Sequence, residues 1–359
     1  MITKYDEIID IDGKQIGANN KTYFIADIAA NHDGDLGRAK ELIFMAADAG
    51  ADAAKFQHFN ADTIVSDFGF KLIGPKTHQA NWNKSVFDVY KDASLNLDWT
   101  PLLKETCDRA GITFFTSPYS LEIIDYVDDY VPAYKIGSGD ITWIEIIKHI
   151  ANKEKPYILA TGASSIEDVV RAVKAGCDIN TKICLMQCNT NYTASLENFR
   201  YLNLNVLQVY KLMFPGIVLG LSDHTPGVSS VLGAIALGAK MIEKHFTDDI
   251  NRKGPDHLFS LDPIAWREMV NRSRELELAL GNGLKKVEEN EFDTKILQRR
   301  SICANSKLSA GKVIEIHDLT FLRPCPEDAI PPYEIKKILG KKLRQSLNKG
   351  EYLTWKMMD

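Results

Sequence analysis

Between about residues 23 and 280, short apolar runs alternate with longer segments in which apolar residues recur every three or four positions. The runs have the length of strands, and the segments between them carry the repeat of a helix that buries one face. Eight runs are present, at 23–30, 53–59, 112–117, 133–137, 157–162, 182–189, 217–224 and 240–247. Amphipathic helices are predicted between them, including 36–49, 99–110, 144–152, 166–175, 228–237 and 263–280. Strands alternating with helices pair in parallel, and eight such units within about 250 residues fit a TIM (β/α)8 barrel better than an open doubly wound sheet.

Two stretches break the alternation. Residues 60–98 are too long for a strand-to-helix connection and carry Lys, Asn and aromatic side chains, as in Lys76-Thr-His-Gln-Ala-Asn-Trp-Asn-Lys84. A long loop at the C-terminal end of a barrel strand is expected to act as an active-site lid. Residues 284–298 are densely charged and predict a linker, which divides the chain into a barrel domain at 1–283 and a small module at 299–359. Turn signals at Ser309-Ala-Gly, Pro324-Cys-Pro and Asn348-Lys-Gly break the module into short β-like runs. So small a unit is expected to have little core of its own and to lean on a neighbour.

Of the 359 residues, 45% are apolar and 25% charged, which excludes a disordered or fibrous chain. No apolar run approaches the ~18 residues of a membrane span, and the first ten residues lack a signal peptide's basic start and apolar stretch. A cytoplasmic location is expected. A net charge of -5 without a dense Lys/Arg run argues against nucleic acid or a membrane surface as partner, so an anionic substrate must be held by local charges. The cysteines (107, 177, 184, 188, 303 and 325) are scattered. Cys184 and Cys188 share a face of one predicted strand without zinc-knuckle spacing, and reduced, partly buried thiols are expected. No strand is followed by G-x-G-x-x-G: Gly137-Ser-Gly-Asp lacks the third glycine, and Gly281-Asn-Gly follows a helix.

Active sites of such barrels form at the C-terminal strand ends. An unusual set of polar residues collects there: Asp27, Asn31 and His32; Lys55, Gln57 and His58; Ser117; Lys135, Ser138 and Asp140; Thr161; Gln187, Asn189, Thr190 and Tyr192; Ser222, Asp223 and His224; Glu243, Lys244 and His245. Alternation along a strand puts Lys55 with Gln57, Ser222 with His224, and Glu243 with His245 and Thr247. Lys55 and Lys135 within strands are costly unless an anion meets them, and the hydroxyls of Ser117, Ser138 and Ser222 make a phosphate or carboxylate the natural guest. His224 and His245 end successive strands, which lie ~4.8 Å apart, so both can reach one cation. Two protein ligands leave positions for water and substrate, which suits a catalytic divalent ion. Of the other histidines, His149 and His317 have surface contexts, His78 lies in the lid, and His257 reads equally as pocket lining or turn.

These residues resemble the sialic acid synthases, meaning N-acetylneuraminate synthase and its nonulosonic-acid relatives. The resemblance is carried by Phe24-Ile-Ala-Asp-Ile-Ala-Ala-Asn-His-Asp-Gly34, Gly50-Ala-Asp-Ala-Ala-Lys-Phe-Gln57, Tyr134-Lys-Ile-Gly-Ser-Gly-Asp140, Gly220-Leu-Ser-Asp-His-Thr225, Ile242-Glu-Lys-His-Phe-Thr247, Gly254-Pro-Asp256 and Leu322-Arg-Pro324. It implies a TIM barrel followed by an antifreeze-like (SAF) module, in a homodimer whose modules each cover the partner's barrel mouth. The implied reaction joins phosphoenolpyruvate to N-acetylmannosamine or a related 2-acetamido sugar, giving a nine-carbon 2-keto acid and phosphate. By the same resemblance His224 and His245 hold manganese or magnesium, and Lys55, Ser117, Lys135, Ser138 and Ser222 contact phosphoenolpyruvate. Gln57, Thr190, Tyr192, Asp256 and Arg323 fall on the sugar side, and Asp27 or Asp140 serves as the catalytic carboxylate beside the two histidines.

Departures from the family pattern bear on the acceptor. Asp27 stands in place of glutamate, Ala160 in place of a hydroxyl residue, and Gln187-Cys-Asn-Thr-Asn-Tyr192 in place of His-Cys-Thr with a later Tyr-Pro step. They favour an acceptor other than plain N-acetylmannosamine, such as the 6-deoxy diacetamido sugar of legionaminic or pseudaminic acid synthesis. A 6-phosphorylated acceptor would need further basic residues, for which only Lys71, Lys76 and Lys84 in the lid offer themselves. A non-catalytic carbohydrate- or ice-binding protein is the alternative from another class, but the module is rich in Lys and Glu and poor in Thr. A metal-dependent aldolase acting on pyruvate would release no phosphate.

Overall fold

The computed structural model describes residues 5–74, 76, 79 and 82–359; the lid histidine at 78 lies outside them. The chain forms two compact units, Met1–Gly281 and Asn282–Asp359. In the first, an antiparallel hairpin of β1 (Ile8–Ile11) and β2 (Lys14–Gly17) precedes eight parallel strands. These are β3 (Tyr23–Asp27), β4 (Ala53–His58), β5 (Thr113–Pro118), β6 (Tyr134–Ile136), β7 (Tyr157–Ala160), β8 (Ile183–Cys188), β9 (Val218–Asp223) and β10 (Met241–His245). Each pairs with the next, and β10 closes onto β3, so the sheet is a TIM-type barrel.

Strands β3 to β10 are buried along nearly their whole length, as expected where side chains on one face fill the barrel and those on the other meet helices. Asp35 caps the helix Leu36–Asp48 by accepting from the Arg38 N–H, and Asp262 caps Pro263–Leu280 through the Ala265 N–H. Trp266 of that last helix is fully buried and meets the Phe246 ring edge-on at 5.6 Å. The strands stop short of the predicted runs because the chain turns at their C-terminal ends. After β3, Asp27 Oδ1 accepts from the Ala29 N–H at 3.1 Å, and Ala29 takes a left-handed φ of 45°. The backbone there is no longer free to pair.

The long connection after β4 contains three short helices, Ala61–Ile64, Asp67–Ile73 and Val86–Ala93. The second unit contains β11 (Ser301–Ala304) paired antiparallel with β12 (Leu319–Leu322), and several isolated bridges such as Leu308 with Leu347. Its charged leading segment holds a helix, Phe292–Gln298. The expectation of little internal core needs correction: Ile302, Leu308, Ile314, Ile330, Ile338, Leu347 and Leu353 form a buried cluster. Among the described residues no helix is long and apolar enough to cross a membrane.

Candidate active site

Strand register decides which side chains meet. His245 lies opposite Asp27, Asp27 opposite Lys55, Gln57 opposite Ser117, and Glu243 opposite Ser222. Paired positions in a parallel sheet point the same way, so this register gathers the set inside the barrel. These residues line a cavity of about 430 Å³ at the C-terminal strand ends. Asp223 and Lys244, one position out of phase, form an outward-facing pair at 2.6 Å with no exposed side-chain surface.

At the cavity floor both lysines are already met by anions. Lys55 Nζ donates to Asp27 Oδ2 at 2.6 Å and lies 3.4 Å from Ser117 Oγ, while Gln57 Nε2 donates to the same Asp27 oxygen at 3.2 Å. Lys135 Nζ donates to Glu243 Oε1 at 2.6 Å, and Ser222 Oγ donates to that oxygen at 3.0 Å. Lys55 is also 3.8 Å from Glu243 Oε2. An anion does meet each lysine, as expected of ammonium groups within strands, but here it is a carboxylate of the barrel itself where a guest phosphate or carboxylate was expected. Burial works against ionising Glu243, but Lys135 and Lys55 outweigh it and hold its carboxyl at about 2.

His224 and His245 stand beside this floor with ring centroids 5.4 Å apart. The His224 Nδ1–H donates to the Asn189 carbonyl at 2.9 Å, which leaves Nε2 as its lone-pair nitrogen. His245 Nε2 is 3.5 Å from Asp27 Oδ2, and its Nδ1 is buried without a hydrogen-bond partner. Burial, helped by the other imidazole or by Lys55, pushes both rings down to about 3. They stay neutral at physiological pH. Two buried neutral imidazoles, one with an orphaned nitrogen, fit a divalent cation with open positions. Tyr192 and Phe259 wall this pair, with ring centroids 4.4 Å from His224 and 4.8 Å from His245 respectively.

The cavity wall carries the remaining polar groups. Ser138 Oγ accepts from the Gly162 N–H at 2.9 Å, and a β-carbon at Gly162 would come within 2.4 Å of Thr190 Cγ2 and 2.9 Å of Ser138 Oγ. Glycine there is what allows the close approach. Asp140 and Asp256 also line the cavity, and burial pushes their carboxyls up to about 6 and about 7. Asp256 Oδ2 accepts from the Ala30 N–H at 3.1 Å. Gln79, Trp82 and Tyr90 from the long connection close one side.

Not every residue singled out in the sequence reaches the cavity. Thr190 packs against Gly162 and is not part of the lining. Arg323 is exposed on the second unit. Gln187 faces outward, where its Nε2 donates to the Leu202 carbonyl at 2.8 Å, so that position does not touch the cavity, whereas Cys188 and Tyr192 of the same segment, Asp27 and Ala160 do. His257 takes the turn reading: it is buried between Thr247 Oγ1 at 2.7 Å and Asp33 Oδ1 at 3.0 Å. The cysteines are free, and Cys188 lines the cavity with its thiol pushed up to about 11 by burial. Glu243 is the residue that sequence reasoning passed over when choosing site residues, although its shared face with His245 was a signal. Tyr90 and Tyr119, which also line the cavity, carried none.

Residues 42–285 match the NeuB family and residues 299–358 the SAF domain. The chain belongs to the NeuB family. It is 35% identical to the N,N'-diacetyllegionaminic acid synthase of Legionella pneumophila over 96% of this chain and 97% of that one. It is 30% identical to the human N-acetylneuraminate-9-phosphate synthase over 97% of this chain and 95% of the relative. The crystal structure of the N-acetylneuraminic acid synthetase of Leptospira borgpetersenii superposes with a TM-score of 0.70 at 28% identity, covering 81% of this chain and 95% of that one. The NeuB-family chain is thus similar to nonulosonic acid synthases along nearly its whole length, and it is an enzyme of that synthase class.

Proposed function

We propose that the chain condenses phosphoenolpyruvate with a 2,4-diacetamido-2,4,6-trideoxyhexose and water, giving a nine-carbon nonulosonic acid and phosphate. The observation that carries the reading is the presence of Lys55, Lys135, His224 and His245 on one inward barrel face, around one cavity. Two lysines with the hydroxyls of Ser117, Ser138 and Ser222 suit a phosphate and a carboxylate on one small molecule. His224 and His245 would hold manganese or magnesium, which supplies Lewis-acid polarisation of the acceptor aldehyde when bound.

The enol carbon bonds to the aldehyde carbon, and the aldehyde oxygen takes up a proton. Water adds to the cationic C2 left behind and gives its proton to a carboxylate of the cavity. The resulting hemiketal phosphate collapses by C–O cleavage, releasing phosphate and leaving the 2-keto acid. The lysines hold the phosphate throughout. Asp140, kept protonated more readily by burial, suits proton donation to the developing alkoxide, and Asp27, gripped by Lys55 and Gln57, suits orientation of water. Gln57, Tyr192 and Asp256 bind the sugar.

The acceptor is assigned on two grounds. Identity is higher to the diacetyllegionaminic acid synthase of Legionella pneumophila, at 35%, than to the human 9-phosphate synthase, at 30%. Among the described residues the only Lys or Arg side chains in the lining are Lys55 and Lys135, both already paired with carboxylates, so the barrel wall itself offers a 6-phosphate no further cation. The reading extends to residues 1–283 as synthase domain, 284–298 as linker and 299–359 as SAF domain, in a cytoplasmic homodimer where the partner-facing Arg323 completes the sugar side. Phosphate release with manganese is the test, comparing the diacetamido sugar, N-acetylmannosamine and N-acetylmannosamine 6-phosphate. The diacetamido sugar should give the highest kcat/KM, and a clear preference for either other sugar would overturn the acceptor.

A further inference from the structure

We infer that Glu243 is a resident counter-anion that makes phosphoenolpyruvate binding conditional on the divalent cation. The inference rests on the proposed function and deepens it.

Glu243 Oε1 takes the Lys135 ammonium at 2.6 Å and the Ser222 hydroxyl at 3.0 Å. Those are two of the donors assigned to the substrate phosphate. Asp27 takes Lys55 in the same way at 2.6 Å. The floor therefore holds two ammonium groups and two carboxylates, and its formal charge closes to zero. A substrate bearing a phosphate and a carboxylate has to share donors that Glu243 already uses, at a point where another fixed negative charge stands. Like charges brought together in a buried site repel strongly because little water screens them.

Glu243 Oε2 adds a second observation. It is buried, lines the cavity and has no hydrogen-bond partner. Among the described residues it does not belong to a set of three or more convergent His, Cys, Asp or Glu ligand atoms; the set that does converge is Glu315, His317 and the buried Asp318, on the second unit. What Glu243 contributes is charge. A divalent cation between His224 and His245 turns a neutral floor into one with a surplus of two positive charges, and only then is an anionic guest favoured there.

The test is calorimetric titration of phosphoenolpyruvate into the full-length protein, stripped of metal or loaded with manganese, for the wild type and Glu243→Gln. For the wild type we expect binding at least about tenfold tighter with manganese, a size typical of coupling between two sites. In Glu243→Gln the ratio should fall below about threefold, chiefly because the stripped protein binds more tightly. A merely structural Glu243 would lower the melting temperature and leave the ratio alone. Should Glu243→Gln not fold, Glu243→Met, apolar and of similar length, carries the same expectation. Equal wild-type affinities with and without manganese, or an unchanged ratio in the variant, would overturn the inference while leaving the proposed reaction intact. Failure of phosphoenolpyruvate to bind either wild-type form, with manganese bound, would remove the substrate assignment and the inference with it.

Discussion

The imidazoles of His224 and His245 face one another at the ends of neighbouring strands, 5.4 Å between ring centroids, and His245 Nδ1 has no partner within the protein. A buried nitrogen without a partner costs free energy, a cost that a cation accepting its lone pair would relieve. His245→Ala should weaken manganese binding by at least about a hundredfold, the scale of losing one of two ligands. Electron paramagnetic resonance of free manganese during titration measures this directly, and an unchanged affinity would move the cation elsewhere.

Stability should rise with pH across the acidic range. In the unfolded chain a histidine takes its proton near 6.5, whereas burial delays this to about 3 for His58, His224 and His245 and to about 4 for His32. Between those limits the unfolded state holds more protons, so the stabilisation is complete above about 6.5 and drains away as the pH falls toward 3. His58, between Thr116 at 2.7 Å and Thr100 at 2.9 Å, contributes without touching the cavity. Melting temperatures from pH 7 to 4.5 should fall less steeply for His58→Gln than for the wild type, and parallel curves would contradict this.

Asp256 has the opposite sign. Its carboxyl is pushed up to about 7, so its desolvation cost appears as the pH rises through that value. If Asp256 binds the sugar, kcat/KM for the acceptor should show an inflection near neutral pH that disappears in Asp256→Asn. An inflection retained in that variant would assign it to another group.

Lys244 tests the two faces of the strand. Its ammonium is fully buried against Asp223 at 2.6 Å and also donates to the Thr225 carbonyl at 2.6 Å, all outside the cavity. Lys244→Met should destabilise the fold by about 3–5 kcal/mol, the usual cost of stranding a buried charge, while phosphoenolpyruvate affinity stays within about twofold. Denaturant melts and calorimetry separate the two effects.

Arg323→Ala tests the proposed cross-subunit sugar contact. Turnover of the acceptor should fall by at least about tenfold with phosphoenolpyruvate affinity kept, the expected pattern when one charged contact to one substrate is lost. Unchanged sugar kinetics would remove that role.

Alternation along the strands made much of the site legible in the sequence. Lys55 with Gln57, Ser222 with His224 and Glu243 with His245 point inward together, and the register across β9, β10, β3 and β4 brings them to one floor. What one strand cannot show is its partner across the barrel. Lys135 on β6 and Glu243 on β10 are 108 residues apart, and their pairing depends on the closed sheet. For that reason the lysines read as open sites for a guest. Gln187 shows the same limit: nothing in its own segment shows that it faces Leu202 and not the cavity. The wall aromatics Tyr90 and Tyr119 come from a connection and a strand end whose course follows from packing, with no periodic signal to mark them.

The most direct measurement is the fate of the bridging oxygen of phosphoenolpyruvate, labelled with oxygen-18, in a reaction with manganese and the diacetamido sugar. Condensation with C–O cleavage predicts that the label leaves in inorganic phosphate, in proportion to the keto acid formed, and that none is released without the sugar. Label retained in the keto acid, or phosphate released equally with no acceptor present, would contradict the account.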